Sequence, residues 1–273
     1  MKKIAVIGLG IIGGSICASL MKAGYAVDGT DIDKSAVSYA LEKGYICDEA
    51  QDISSYDAVF IAVPPRATME ILENTRFKND ALVSDICGVK SKVEETVYAK
   101  KRNYRYLGIH PMAGKETSGI ASASSELFRM ANLIITIANK TEKSAVEEMK
   151  VYAKAMRFGK IVECSAKEHD KKIAMTSQLA HIVSNAYVKS PEVKNCDGFT
   201  GGSFQDMTRI AGVDEKIWTE LYMSNRQYVL DELTGLIEHL EVYKTALANA
   251  DEEALSQALK EGRLVRENVK YKR

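Results

Sequence analysis

No run of apolar residues in this chain reaches the roughly 20 residues that a membrane-spanning helix needs. No membrane association is therefore expected. Charge of one sign is also missing. Lys and Arg together number 37, and so do Asp and Glu, so no overall basic field would gather nucleic acid. The one local excess, Lys260 to Arg273, reads as a solvated helix end. Cysteine is sparse and unpatterned. Cys17, Cys47, Cys87, Cys164 and Cys196 form no Cys-x-x-Cys and no metal-ligand spacing. That leaves no disulfide framework and no metal site to expect, and it fits a reducing, cytoplasmic setting. Proline occurs only at 64, 65, 111 and 191, and there is no repeat and no low-complexity tract. The first strand starts almost at Met1, so no leader is expected. A length of 273 residues suits one large or two ordinary domains.

What the chain does have is glycine, placed with purpose at its start. The β-branched run Ile4 to Ile7 leads into Gly8-Leu9-Gly10-Ile11-Ile12-Gly13, and a small-residue helical stretch follows. Strand, glycine turn and helix in that order are what a dinucleotide-binding βαβ unit requires. Gly8 permits the tight turn, Gly10 lets the backbone approach a pyrophosphate, and Gly13 lets the helix pack close to the sheet. The helix N-terminus offers N–H groups and a positive dipole end to the phosphates. An acid is expected about 20 residues on, where it accepts from the ribose hydroxyl. Asp31 stands eighteen residues past Gly13. A carboxylate there repels a 2′-phosphate, so NAD is the expected cofactor. The loop residues Gly8, Leu9, Gly10, Ile11, Ile12 and Gly13, with Asp31, form its expected cradle.

Strand-like and helical segments then alternate to about residue 164. Strands are expected near 25–30, 57–63, 81–85, 105–109, 133–137 and 159–163, with helices between them. This pattern predicts a doubly wound, mostly parallel sheet of Rossmann type. From Ser165 the strand signal ends. Ala166 to Val188 reads as one long helix, the Gly-rich stretch 198–203 interrupts, and helical segments fill the rest. Val229, Leu233, Leu236, Leu240, Tyr243 and Leu247 recur at three- and four-residue spacing, one face of a helix. The expected division is a nucleotide-binding α/β domain over 1–164 and an all-helical domain over 165–273. The helical domain is expected to bind substrate and to pair two copies of the chain as a homodimer.

Three positions outside the glycine loop carry chemistry. His110 follows a predicted strand, where ligands of open α/β sheets bind. It is either a general base or a side chain capping the turn ahead of Pro111. Arg209, with Asp206 three residues before it, is either a carboxylate clamp or half of a structural ion pair. His181 shares a helix face with Ser177, as a site residue or simply a packed one. Trp218, the only tryptophan, reads as packing.

Taken together, these stretches resemble the prephenate dehydrogenase family over nearly the whole chain. The resemblance is carried by Gly8 to Ser15, Ala62-Val-Pro64, Ser84-Asp85 through Lys90, Gly108-Ile-His-Pro-Met-Ala-Gly114 with Glu116, and Phe204-x-Asp-x-Thr-Arg-Ile-Ala211 with Trp218 and Asn225. It implies an NAD-dependent oxidative decarboxylation of prephenate to 4-hydroxyphenylpyruvate, a step of tyrosine biosynthesis. His110 would take the C4-hydroxyl proton, and Arg209 would bind a substrate carboxylate with Asp206 in support. His181 would face the substrate, Glu116 would lie at the pocket mouth, and Val63 and Pro64 would line the cofactor. Gly88 departs from the pattern, since the family usually has Ser there. Gln178 and Ala180 stand where some relatives have His and Pro. Arogenate, differing only in its side chain, is the alternative substrate, and Lys115 bears on that choice as a cation beside Glu116. A β-hydroxyacid dehydrogenase or a non-catalytic NAD-binding regulator shares the plan but not the His-Pro block.

Overall fold

The structure, a computed structural model, describes residues 2–115 and 117–269. Strands β1 (Ile4–Ile7), β2 (Val27–Thr30), β3 (Ala58–Ile61), β4 (Leu82–Asp85) and β5 (Arg105–Tyr106) form one sheet in the order β2-β1-β3-β4-β5. Every pairing in it is parallel. Side chains alternate across a strand, so β3 feeds two cores at once. Ala58 and Phe60 join the apolar cluster on one face, and Val59 and Ile61 join the one on the other. Helices α1 (Ile11–Lys22), α2 (Lys34–Glu42), α3 (Pro65–Asn74) and α4 (Ser91–Tyr98) make the crossovers. The expected parallel sheet with helices on both faces is present.

The expected strand 105–109 is in fact two strands in two sheets. β5 closes the parallel sheet, and β6 (Gly108–Pro111) leaves it to pair antiparallel with β7 (Asn132–Thr136). β7 pairs in parallel with β8 (Lys160–Cys164), which follows α5 (Lys143–Ala155). Gly108 is the reason the chain can pass here. A Cβ on it would meet Thr136 Oγ1 at 2.5 Å and Asp85 Oδ2 at 3.3 Å. Apolar content alone cannot distinguish a five-residue strand from two short ones divided at such a crossing.

The expected helix 166–188 is continuous but not uniform. α6 (Ala166–Ile173) opens on a serine N-cap in which Ser165 Oγ accepts from the Glu168 N–H. A π-helical stretch, Ala174–Leu179, separates α6 from α7 (Ala180–Tyr187). Such widened turns collect at functional sites. This one carries Gln178, whose amide donates to Leu221 O at 3.3 Å and accepts from Asn225 Nδ2 at 2.6 Å. α8 (Gly202–Thr208) is fastened to α7 through Ser184 Oγ to Met207 O, 2.7 Å, and Asn185 Nδ2 to Ala211 O, 3.1 Å. α9 (Glu215–Ser224) is capped by Asp214, which accepts from two backbone N–H groups.

The chain divides into two compact units after Asn225. The second unit is a helical pair, α10 (Arg226–Ala248) and α11 (Glu252–Asn268). Asp251 caps α11, and the Tyr243 hydroxyl donates to Ala258 O at 3.3 Å across the pair. Many of its apolar side chains are exposed, Leu230, Ile237, Leu240, Leu247 and Val265 among them.

Candidate active site

The carboxyl edge of the parallel sheet assembles three turns side by side. Ala62 N donates to Ile7 O at 2.7 Å, and Ile86 N to Ile61 O at 3.1 Å. The glycine loop after β1, the Ala62–Pro64 turn after β3 and the Ile86–Gly88 turn after β4 are therefore neighbours. This is the edge where ligands of open α/β sheets bind.

In the glycine loop each position has its own physical cause. Gly8 has φ +94°, and a Cβ there would press into the Ala62 carbonyl. A Cβ on Gly13 would strike the Gly8 carbonyl. Around Gly10 there is open space, with nothing within 4 Å of a Cβ. Gly10 is also the N-cap of α1 and brings no side-chain cap to that helix. The loop thus leaves room where a pyrophosphate belongs and keeps the donors of a helix N-terminus beside it. Asp31 is held from the backbone, Oδ2 by Leu9 N at 2.6 Å and Oδ1 by Asp33 N at 2.9 Å. Its carboxylate is thereby pre-set as an acceptor for ribose hydroxyls. The residues present fit NAD.

Across the same edge lies a connected set of ionisable side chains. His110, on β6, is partly buried. Its Nδ1 is 2.8 Å from His169 Nε2, and His169 Nδ1 is 2.8 Å from Asp170 Oδ1. Asp170 accepts from the N–H groups of Lys90 and Ser91, both at 2.8 Å, where α4 begins. Asn225 Nδ2 secures the Asp170 carbonyl at 2.9 Å. Behind this set Lys90 and Asp85 form a fully buried ion pair at 2.6 Å, and the Tyr106 hydroxyl donates to Asp85 Oδ2 at 2.6 Å. Burial, then Asp85, pushes the Tyr106 hydroxyl well above its ordinary range, so it remains a donor.

Burial holds the His110 imidazole well below the usual histidine pKa, with His169 and the Lys90 ammonium adding to the effect. Burial also lowers His169, against the pull of Asp170. Asp170 is lowered overall: burial works to raise it, but the bonds from His169 and Ser91 prevail. At neutral pH the two rings are neutral and Asp170 is charged. The other face of His110 meets the Ile86–Gly88 turn. A Cβ on Gly88 would sit 3.8 Å from His110 Cε1 and Nε2, and 3.5 Å from Leu221 Cδ2. The glycine therefore leaves Nε2 without a neighbouring side-chain hydroxyl at this position. Cys87 beside it is not a nucleophile, because burial pushes its thiol up to about 12.

The remaining expected residues are spread around this centre. His181, near the start of α7, holds Ser177 O through Nδ1 at 2.9 Å and lies over the Trp218 ring, with centroids 3.9 Å apart. Asp206 lies within α8, and Arg209 at its C-terminal cap; both are exposed. Lys115 is exposed and donates to Ser122 O at 3.2 Å. Glu116 lies outside the described residues. Val63 and Pro64 form the turn after β3, where Val63 O accepts from Thr68 Oγ1 and Glu220 of α9 accepts from Arg66 N. His169 and Asp170 were not singled out from the sequence. Their only signal there is an adjacent His-Asp pair at the start of a helix. Among the described residues no cluster of three or more His, Cys, Asp or Glu could hold a metal ion, and no helix is long and apolar enough to cross a membrane.

Comparison with known proteins covers both halves of the chain. A family model for the prephenate dehydrogenase nucleotide-binding domain matches residues 16–162, and one for the prephenate dehydrogenase dimerization domain matches 165–261. Prephenate dehydrogenase of Bacillus subtilis (strain 168) is 32% identical, over 97% of this chain and 76% of that protein. Cyclohexadienyl dehydrogenase of Zymomonas mobilis is 31% identical, over 97% of this chain and 95% of that one. The crystal structure of prephenate dehydrogenase from A. aeolicus, in complex with hydroxyphenyl propionate and NAD+, superposes with a TM-score of 0.86 at 29% identity, covering 99% of both chains.

Proposed function

Because the chain belongs to the prephenate dehydrogenase family, we propose that it oxidises and decarboxylates prephenate to 4-hydroxyphenylpyruvate with His110 as the general base. The observation that carries this reading is a neutral imidazole whose Nε2 faces the carboxyl edge of the nucleotide-binding sheet beside Gly88. Bound NAD supplies the hydride acceptor, and the loop Gly8 to Gly13 with Asp31, Val63 and Pro64 would hold it. His110 Nε2 takes the C4-hydroxyl proton as the C4 hydrogen leaves as hydride. The carbonyl forming at C4 draws electrons through the ring, the ring carboxylate departs as CO2, and the oxygen of the new phenol takes the proton back. Arg209 binds a substrate carboxylate, a task its planar fork suits, and Asp206 supports it. His181, steadied on Trp218, faces the ring. Glu116 and Lys115 act at the mouth of the pocket.

We divide the chain functionally into a nucleotide-binding part, 1–164, and a helical substrate and dimer part, 165–273. The exposed apolar side chains of α10 and α11 suit burial against a second copy. The five cysteines are free thiols, in keeping with a cytoplasmic enzyme. The test is NADH formation by the purified chain with prephenate and, in parallel, with arogenate. Prephenate turnover is expected, and His110→Asn should lower kcat by about 10²- to 10⁴-fold while NAD affinity stays at the wild-type value. Near-normal turnover in that variant removes His110 as the base, and preference for arogenate reassigns the substrate. Light scattering on the same preparation should give twice the chain mass of 30.1 kDa; a monomer overturns the dimer.

A further inference from the structure

We infer that His169 and Asp170 are positioning residues that fix the tautomer of His110 and receive the positive charge created when His110 takes its proton. This rests on His110 being the base. Asp170, as a carboxylate, can only accept. It takes the Lys90 and Ser91 N–H groups, so the 2.8 Å contact to His169 Nδ1 requires the proton to be on that nitrogen. His169 is neutral, so its Nε2 is then a lone pair. The 2.8 Å contact from Nε2 to His110 Nδ1 therefore requires His110 to donate. His110 is left with a bare Nε2, the nitrogen beside Gly88. One carboxylate thus sets the orientation and protonation of two rings, and the backbone at the start of α4 sets the carboxylate.

The same chain of bonds supplies a path for charge. When His110 Nε2 gains the substrate proton, the Nδ1 proton can pass to His169 Nε2. The positive charge then sits against Asp170 rather than beside the Lys90 ammonium, and both protons return when the product oxygen is reprotonated. No oxidant or further acid is needed. The charged and titratable groups around this path are Lys90, Asp85 and Glu94 with Tyr106. Lys90 opposes positive charge on either ring. Asp85 and Asp170 favour it on His169. Without Asp170 a base in this setting would be a poor one, since burial and Lys90 both disfavour its charged form.

The experiment compares wild type, His169→Gln and Asp170→Asn. Glutamine keeps an acceptor for His110 Nδ1–H but cannot take up a proton. Asp170→Asn removes the charge, and because Asp170 also anchors α4, His169→Gln is the variant to rely on if Asp170→Asn does not fold. The readouts are kcat and KM with prephenate across pH, NAD affinity, and the His110 tautomer by 15N NMR in the unliganded protein. The wild type is expected to carry the proton on His110 Nδ1. Both variants are expected to lose about 10²- to 10⁴-fold in kcat, with KM and NAD affinity held, and in Asp170→Asn the acid limb of the kcat profile is expected to move to lower pH. Folded variants with wild-type kcat and an unmoved acid limb overturn the inference and leave His110 in its role. A proton on His110 Nε2 in the wild type also overturns it. A wild type that turns over no cyclohexadienyl substrate overturns the functional reading instead, and the NMR result then stands alone as the test of positioning.

Discussion

The cofactor loop at the carboxyl edge of the parallel sheet and the histidine site beside that edge are built by opposite means. The loop is local and made of backbone. Six consecutive residues and one aspartate do the work, and the decisive side chains are missing ones: no Cβ fits at Gly8 or Gly13, and open space surrounds Gly10. The histidine site is made of side chains brought from β4, β6, α4, α6 and the residue after α9. Every polar side-chain atom buried there has a partner among the described residues. A backbone site tolerates whatever leaves its turn intact. A side-chain network in a low-dielectric setting depends on every member, because an unpaired buried group costs far more than a satisfied one contributes.

The largest effect that tests this contrast is on the network side. Lys90→Met removes the ammonium and leaves the buried Asp85 carboxylate to be held by Tyr106 and Cys87, with no positive charge to balance it among the described residues. A loss of about 3–5 kcal/mol in stability is expected, the range for breaking a buried pair from one side. Urea unfolding measures it, and a loss below 1 kcal/mol would show that the network is less interdependent than its geometry implies.

Within the loop the contrast is between neighbours. Gly8→Ala forces an L-residue to φ +94° and into the Ala62 carbonyl, and should cost about 2–4 kcal/mol from backbone strain and overpacking together. Gly10→Ala meets open space, so the melting temperature should stay at the wild-type value while NAD affinity falls at least tenfold. Calorimetry on both variants separates fold from function, and equal NAD affinity in Gly10→Ala would end the role given to that glycine.

A smaller effect follows from the two lowered histidines. Their folded pKa values lie below the unfolded ones, so below the ordinary value near 6.5 the unfolded chain binds protons that the folded chain refuses. Stability is then full above that pH and is lost as pH falls, by at most about 1.4 kcal/mol per pH unit for each ring. Unfolding curves between pH 7 and 5 should show this slope, and His169→Gln should reduce it. An unchanged slope would mean that His169 is not held neutral.

How far each region could be read from sequence follows from how it is built. Gly8, Gly10, Gly13 and Asp31 stand in a fixed order along the chain, and their spacing is the physical constraint itself. His110 and Arg209 were recognisable because they sit in compact blocks. His169 and Asp170 had no such block, since their meaning depends on a ring 59 positions earlier and on an N–H 80 positions earlier. The strand expected at 105–109 was divided for a similar reason. The close approach at Gly108 involves Thr136 and Asp85, and no local pattern records it. The π-helical stretch inside 166–188 likewise serves Leu221 and Asn225, more than 40 residues on.

The sequence by itself determined the nucleotide loop, the NAD cofactor, the parallel sheet and the candidate base, because each is dictated by local sterics, periodicity or a short block. Only the tertiary structure decided what His110 meets through Nδ1, what stands behind that contact and what surrounds the ring. Those are properties of hydrogen bonds and electrostatics between segments far apart in the chain, and distance in space is what governs them.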